Sequence, residues 1–589
     1  MQMIDLILKI IFAVIIFSGT TACGIPIIFR FVKNARWLTK IVISFSAGFV
    51  LLLLSGIAAN VLLINPFFFQ IICFVACCIA IIPIRSTLTI NVDQADKIVI
   101  SLSVVYALIL IAFFNSIIMW MAGDAVTHAS IIRMLMDGQS IPVNIFPFGS
   151  AWEIYPKGFH FYSFFWINKF SLLGGIQVIP VLISTMVPLL FYSLIREMNE
   201  PETTLSLYTF IFACFCFPAH YAYLIWAGYP SIAAEMLLVA SLVAVIIEKR
   251  LLVLFLIGLL VVHPRFLVFL VGILVIWWIF IILQQHEEEI RTHLRWTLLL
   301  LGLGICGLVF CVWALFPVHP PTLLTSIITD RSLATDYITR WLWALFSLFG
   351  IIIALYQRNR IEVLCGAWII SMGLLALFID LGPLGWLTAT DRVYALLYLP
   401  LAFFAAIAIF SLVSSNPKIK TAFLLVIIIT GILMMGVIFS SYSASWKIPR
   451  EDYNAIMWMN EQKDQNISCM NLDPTGGWIY PLTGIKILNP GALLRDTEDN
   501  SNNFKLWNQL LSNPNSQKSR QMMAQFKVPV YIFVSNASLS EKSSEIPFTR
   551  VSDRFPVITN ITFSKAYYDV PYTEGAIIAR YPKTVLGST

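Results

Sequence analysis

Charge is what this sequence has least of. Lysine and arginine number 38, and aspartate and glutamate 32, so only 12% of the 589 positions are charged. A soluble domain averages about one quarter, and half of the expected solvating charge is missing. That deficit excludes a chain that is soluble throughout. A nucleic-acid binder is excluded as well: the net charge of +6 sits mostly in short loops, and no basic stripe interleaved with aromatics is present. Disulfide material is equally short where it would be used. Nine cysteines (Cys23, Cys73, Cys77, Cys78, Cys214, Cys216, Cys306, Cys311 and Cys365) lie in or beside apolar runs, and only Cys469 lies in the polar C-terminal part. A lone thiol excludes an intradomain disulfide there. Cys73, Cys77 and Cys78 have no histidine or further thiol nearby and read as small buried hydrophobes.

What the chain has in excess is long apolar runs, with 59% hydrophobic residues and a mean hydropathy of +0.83. A run of about 20 residues crosses a hydrocarbon core of roughly 30 Å. Runs of that kind fall at 5–29, 41–64, 66–84, 98–119, 175–195, 203–219, 229–247, 251–263, 264–284, 296–316, 341–356, 361–380, 389–413 and 420–442. The expectation is an α-helical polytopic membrane protein with about 13–14 transmembrane helices. The stretch 251–284 reads either as two short helices meeting at His263-Pro264-Arg265 or as one pass plus a re-entrant piece. The first run is long and leads straight into further spans, so it reads as a retained helix and not a cleaved signal peptide.

Basic residues in the connections set the orientation. Arg30, Lys33, Arg36 and Lys40 mark the first connection as cytoplasmic. Alternation then places Arg85/Lys97, Arg196, Lys249/Arg250, Arg291/Arg295, Arg358/Arg360 and Lys418/Lys420 on that side. Segments 120–174, 220–228, 317–340 and 381–390 fall outside, as does everything after the last run. Two domains follow: residues 1–442 in the membrane, with outer loop 120–174 carrying interfacial helices, and residues 447–589 as a small extracytoplasmic α/β domain. Sequons at Asn466, Asn536 and Asn560 are compatible with that side. The outer domain reads as a helix at 450–462, a strand at 467–472, a Gly/Pro-rich stretch from Asp473 to Gly484, a polar helix near 504–525, and strands at 529–534 and 575–580.

The outer loop 120–174 carries the chemistry. It reads Gly123-Asp124-Ala-Val-Thr-His128 and ends its first helical stretch at Asp137-Gly138. At about 100° per residue, Asp124, His128, Ile131, Ile132 and Leu135 share one face, and Ser130, Arg133 and Asp137 share the opposite one. An acid and an imidazole therefore sit on the face expected to pack inward, which is costly unless they are used. The same Gly-Asp step also reads as an N-cap, its carboxylate bonding the first free amides. Arg133 and Asp137 read as a solvated surface pair. Further on, Glu153-Ile-Tyr155-Pro156-Lys157-Gly158-Phe-His160 opens a second helix with Pro at its favoured first position. Its aromatic run to Trp166 reads as interfacial anchoring at headgroup level.

An acidic residue after an apolar helix, an interfacial helix, then Tyr155-Pro156-Lys157-Gly158 and a second interfacial helix resemble the GT-C glycosyltransferases. The specific likeness covers 120–160, and the architectural likeness covers 98–442. Trp226-Ala-Gly-Tyr229-Pro230, His263-Pro264-Arg265 and Thr390-Asp391-Arg392 add weaker support. The resemblance implies transfer of a sugar from a polyprenyl-phosphate donor to a hydroxyl on a glycan, lipid or protein acceptor. It implies Asp124 as general base, Arg392 or Arg265 on the leaving phosphate, and His128, Glu153, Tyr155, Lys157 and His160 in sugar or acceptor binding. Asp330, Arg331 and Asp336 of the second long outer loop would line the same cleft or be solvated. The chain departs from the family pattern in two ways. Three spans precede the helix that delivers the acidic loop, where many members have one, and that loop has no Asp-x-Asp, so a divalent metal has no support in the sequence. The competing expectation is a transporter or flippase of a lipid-linked saccharide, which would need intramembrane charges at the midplane. A membrane scaffold without catalysis is the third, and it leaves Asp124 and His128 without a purpose.

Overall fold

The computed structural model describes residues 2–87, 91–115, 123–138, 157–168, 171–198, 203–217, 223–224, 227–285, 343–355, 359–378, 395–412, 417–446, 449–462, 468–471, 474–489, 509–510, 512–524, 530–536, 562–574 and 576–581. Fifteen helices precede the C-terminal domain among these residues. They are α1 (Gln2–Phe31), α2 (Trp37–Val61), α3 (Pro66–Ile81), α4 (Gln94–Asn115), α5 (Gly123–Met136), α6 (Gly158–Ile167), α7 (Leu172–Met198) and α8 (Thr203–Phe215). The series continues with α9 (Tyr229–Ile247), α10 (Leu251–Val262), α11 (Arg265–Gln285), α12 (Trp343–Leu355), α13 (Arg360–Phe378), α14 (Tyr398–Leu412) and α15 (Pro417–Trp446). Seven of them are long and apolar enough to cross a membrane. Every expected run falls on a helix except 296–316, which lies outside the described residues. The stretch 251–284 is two helices. Pro264 has no amide to continue the ladder, and His263 closes α10 through its N–H on the Leu259 carbonyl at 2.8 Å.

Helix contacts follow the distribution of small residues. Thr20 and Gly24 on α1 face Ser44 and Gly48 on α2, each pair four apart, and the backbones approach closely. A Cβ on Gly24 would lie 1.9 Å from the Ser44 carbonyl oxygen, and one on Gly48 1.8 Å from that of Thr20. α7 is the hub, with its whole apolar stretch buried. α3 lies at the rim, where Phe68, Ile72, Val75 and Ile79 form an exposed stripe. An exposed apolar stripe at helical spacing is tolerated where the solvent is hydrocarbon.

One end of the bundle is tied by charge. Asp93, ahead of α4, accepts from Arg36 at 3.3 Å and from the buried Arg196 at the end of α7. The Arg36 amide donates to Glu197 at 2.9 Å. Three connections that the sequence assigns to one side therefore meet at one end.

The C-terminal domain adds α16 (Arg450–Glu461), α17 (Ile479–Thr483), α18 (Gln517–Met523) and a five-stranded sheet. Its strands are β1 (Ser468–Asn471), β2 (Lys486–Asn489), β3 (Val530–Val534), β4 (Asp569–Tyr572) and β5 (Ile577–Tyr581), in the order β2-β1-β3-β5-β4. β1 is parallel to β2 and β3, and β5 is antiparallel to β3 and β4. The α/β expectation holds. The Gly/Pro-rich stretch after β1 is a 3-10 turn, Pro474–Trp478, running into α17. It forms the crossover of a short β-α-β unit.

Candidate functional site

Two short helices build the site, and glycine sets where they lie. A Cβ on Gly158 would be 2.8 Å from the Val261 carbonyl oxygen. That close approach seats the start of α6 against the end of α10, beside the His263-Pro264-Arg265 corner. Gln70 on α3 then donates to the carbonyls of Leu52 on α2 and Phe161 on α6, both at 2.9 Å. All ten residues of α6 are buried. This corrects the reading of its rings as headgroup anchors. Phe164 and Phe165 pack on Phe67, Trp166 packs edge-on to Phe74, and Tyr162 lies against Phe49 while its hydroxyl bonds Thr20 at 2.8 Å. The rings fill gaps between helices, where each buries more area than a headgroup contact would.

His128 and His160 meet. His128 Nδ1 and His160 Nε2 are 2.9 Å apart, in one hydrogen bond whose donor depends on the tautomer. Both imidazoles are buried. Burial, and then the neighbouring His128, hold His160 well below the usual imidazole range. The Tyr229 ring, at the start of α9, packs on His128 and on Phe159 with centroids 5.7 and 6.0 Å apart. Ala227, two residues earlier, has φ +64°, in the left-handed region that L residues avoid. Strain of that kind persists where its surroundings enforce it, and here it aims Tyr229 at the imidazoles. Asp124 lies one turn before His128, is only partly buried, and is close enough for its charge to act on the Tyr229 hydroxyl. Lys157 caps α6 from outside, its carbonyl accepting the His160 amide at 3.0 Å.

The opposite face of α5 departs from expectation. Arg133 and Asp137 do bond each other, at 2.9 Å, but their side chains are only 16% and 28% exposed. The C-terminal domain touches both of them. The Tyr480 hydroxyl of α17 donates to Asp137 at 3.4 Å. Burial and the Asp137 carboxylate push that hydroxyl above its usual range, so it stays a donor. Gly484 ends α17 at φ +75°, and a Cβ there would sit 2.6 Å from the Arg133 guanidinium. A Cβ on Gly477 would sit 3.0 Å from Val126. The pair stays at the surface, with Asp137 exposed; helical spacing found it, but it could not supply the domain whose Tyr480 and Gly484 reach it.

Of the residues singled out from the sequence, Asp124, His128, Lys157 and His160 gather on α5 and α6, and Arg265 opens α11, just past the end of α10 on which α6 sits. Glu153, Tyr155 and Arg392 lie outside the described residues, as do Asp330, Arg331 and Asp336. Phe159 and Tyr229 belong to the same cluster. The Gly-Tyr-Pro step at 228–230, with Pro at a helix start, was the signal for Tyr229. Among the described residues, no group of three histidine, cysteine, aspartate or glutamate side chains is arranged to hold a metal.

The fold and the buried site define a multi-pass, many-helix protein with a covering α/β domain. No protein-family model matches the chain, and no curated protein matches it either.

Proposed function

We propose that this protein is a membrane glycosyltransferase of the GT-C kind. It would move a sugar from a polyprenyl-phosphate donor to an acceptor hydroxyl on the extracytoplasmic side. The observation that carries the reading is the cluster on α5 and α6: a partly buried carboxylate, Asp124, one turn from a buried, hydrogen-bonded imidazole pair. Asp124 takes the acceptor proton as the new bond to the anomeric carbon forms. The bond from that carbon to the phosphate oxygen breaks, and its electron pair leaves with the polyprenyl phosphate. A guanidinium at the mouth of the site stabilises that charge, and Arg265 and Arg392 are the candidates. His128, His160 and Lys157, with Glu153 and Tyr155, are the groups available to bind sugar or acceptor. The C-terminal domain lies on the extracytoplasmic face of the cell membrane in this reading.

The test is Asp124→Asn in the full-length protein, reconstituted with a polyprenyl-phosphate sugar and a hydroxyl acceptor. Transfer should fall by at least about 100-fold, the lower end of what a general base supplies, with the melting temperature unchanged. Undiminished transfer would remove Asp124 as base, and loss of folding would make it a cap.

A second reading, a flippase for a lipid-linked saccharide, has one observation in its favour. Glu235 is 1% exposed within α9 and faces Tyr398 of α14, and buried carboxylates inside membrane helices mark transport paths. Movement of a labelled lipid-linked saccharide across vesicles, with no covalent product formed, would select it.

A further inference from the structure

We propose that Tyr480, Asp137 and Arg133 form a latch by which the C-terminal domain positions the α5 helix, so that this domain is a working part of the site on α5. The proposal rests on the reading of Asp124 as the reacting base, and its functional half concerns that same site.

Three contacts place the latch. The Arg133–Asp137 pair at 2.9 Å lies at the C-terminal end of α5. Tyr480 reaches it from α17 at 3.4 Å. Gly484, held at φ +75°, leaves room for the Arg133 guanidinium that any side chain would fill. At the other end of the helix, Gly477 packs on Val126, between Asp124 and His128. Trp478, between the two contact regions, is fully buried. α5 is therefore held along its length, by α6 on one face and by the 3-10 turn and α17 on the other.

The need for such a hold follows from length. α5 has 14 residues, and an isolated helix of that size is marginal in water. Its inward face carries a carboxylate and an imidazole, which weakens hydrophobic anchoring on that side. A general base must be held to a fraction of an ångström to act. The latch supplies the missing constraint from the outer face. Both glycines and Tyr480 come from a single crossover, 474–484, between β1 and β2, so the rigidity of the sheet passes directly to α5. Tyr480, Asp137 and Arg133 touch no reacting atom in this scheme and are positioning residues.

The experiment uses the full chain in lipid nanodiscs and compares wild type, Tyr480→Phe and Asp137→Asn. Hydrogen exchange is read over 123–138, and transfer kinetics are read with a polyprenyl-phosphate sugar. Tyr480→Phe should speed exchange over 123–138 about fivefold, the scale of one hydrogen bond, and leave the helices α1 to α4 unchanged. It should lower kcat about tenfold while the KM for the lipid donor stays fixed. Asp137→Asn, which removes the ion pair but not the acceptor, should act in the same direction. Unchanged exchange over 123–138 in both variants overturns the latch whatever the activity does. Faster exchange with unaltered kcat overturns the positioning role. A wild-type protein inert toward polyprenyl donors would sink the glycosyltransferase reading, and the exchange data would still decide the latch.

Discussion

At the residue scale the imidazole pair is the most restrictive element of the site. Two buried rings sharing one hydrogen bond of 2.9 Å accommodate a second proton only at a high cost in repulsion and desolvation. His160, held low by burial and by His128, stays neutral in the folded protein near pH 7. The unfolded chain binds a proton there below about pH 6.5, so protons favour unfolding. The stability contribution is complete above about pH 6.5 and is lost as pH falls toward the depressed folded value. Chemical denaturation from pH 7.5 down to 5.5 should show wild type losing stability more steeply than His160→Gln. Parallel profiles would mean that the pair is not the group that titrates. His128 and His160 were legible in the sequence as separate candidates. Their bond was not, because 32 residues separate them, and the orientation of α6 is fixed by contacts such as that of Gly158 with α10, which no local pattern encodes.

At the scale of elements, the spans were readable because a hydrocarbon solvent demands length and apolarity and little else. Packing was less readable. The α1–α2 crossing depends on carbonyl-to-glycine distances under 2 Å from a hypothetical Cβ, and such a distance cannot be relieved by a rotamer change. Gly48→Ala should therefore separate the two helices and destabilise the protein by about 1–3 kcal/mol, the usual cost of overpacking. An SDS-unfolding titration reads the change, and an unaltered midpoint would show that the helices slide apart freely. α6 makes the complementary point. Its aromatic composition suits a headgroup belt and a buried knob equally well. The choice was made by Gln70, by the ring partners on α3 and by Gly56, where a Cβ would lie 2.9 Å from Phe161.

On the scale of the whole molecule, the C-terminal domain and the α5 helix share one side of the bundle, because residues 474–484 touch α5 directly. The Arg36, Asp93 and Arg196 contacts gather the basic connections at one end. An impermeant thiol reagent on sealed, oriented vesicles should thus label a cysteine introduced at Lys565 from one face and one introduced at Lys33 from the other. Labelling of both from the same face would overturn the alternation of loops. The soluble domain's strands at 468–471, 530–534 and 577–581 were legible from β-rich patches. β2 and β4 were not: their sequences, Lys-Ile-Leu-Asn and Asp-Val-Pro-Tyr, mix in residues that strands disfavour, and such segments gain their stability from the neighbouring strand.

The sequence alone determined that this chain is built of many apolar helices, seven of them long enough to cross a membrane, where its connections carry charge, that a polar α/β domain follows, and that an acid and two histidines lie in a loop otherwise built to be buried. Each of these is a local or compositional property, set by the cost of charge in hydrocarbon. The tertiary structure alone decided which of those polar groups meet and what covers them. It paired His128 with His160, brought the C-terminal domain onto a surface ion pair, and put Tyr229 and Tyr480 on opposite faces of one short helix. Those outcomes depend on close backbone approaches at Gly158, Gly477 and Gly484, and a glycine reveals its neighbour only after the chain has folded.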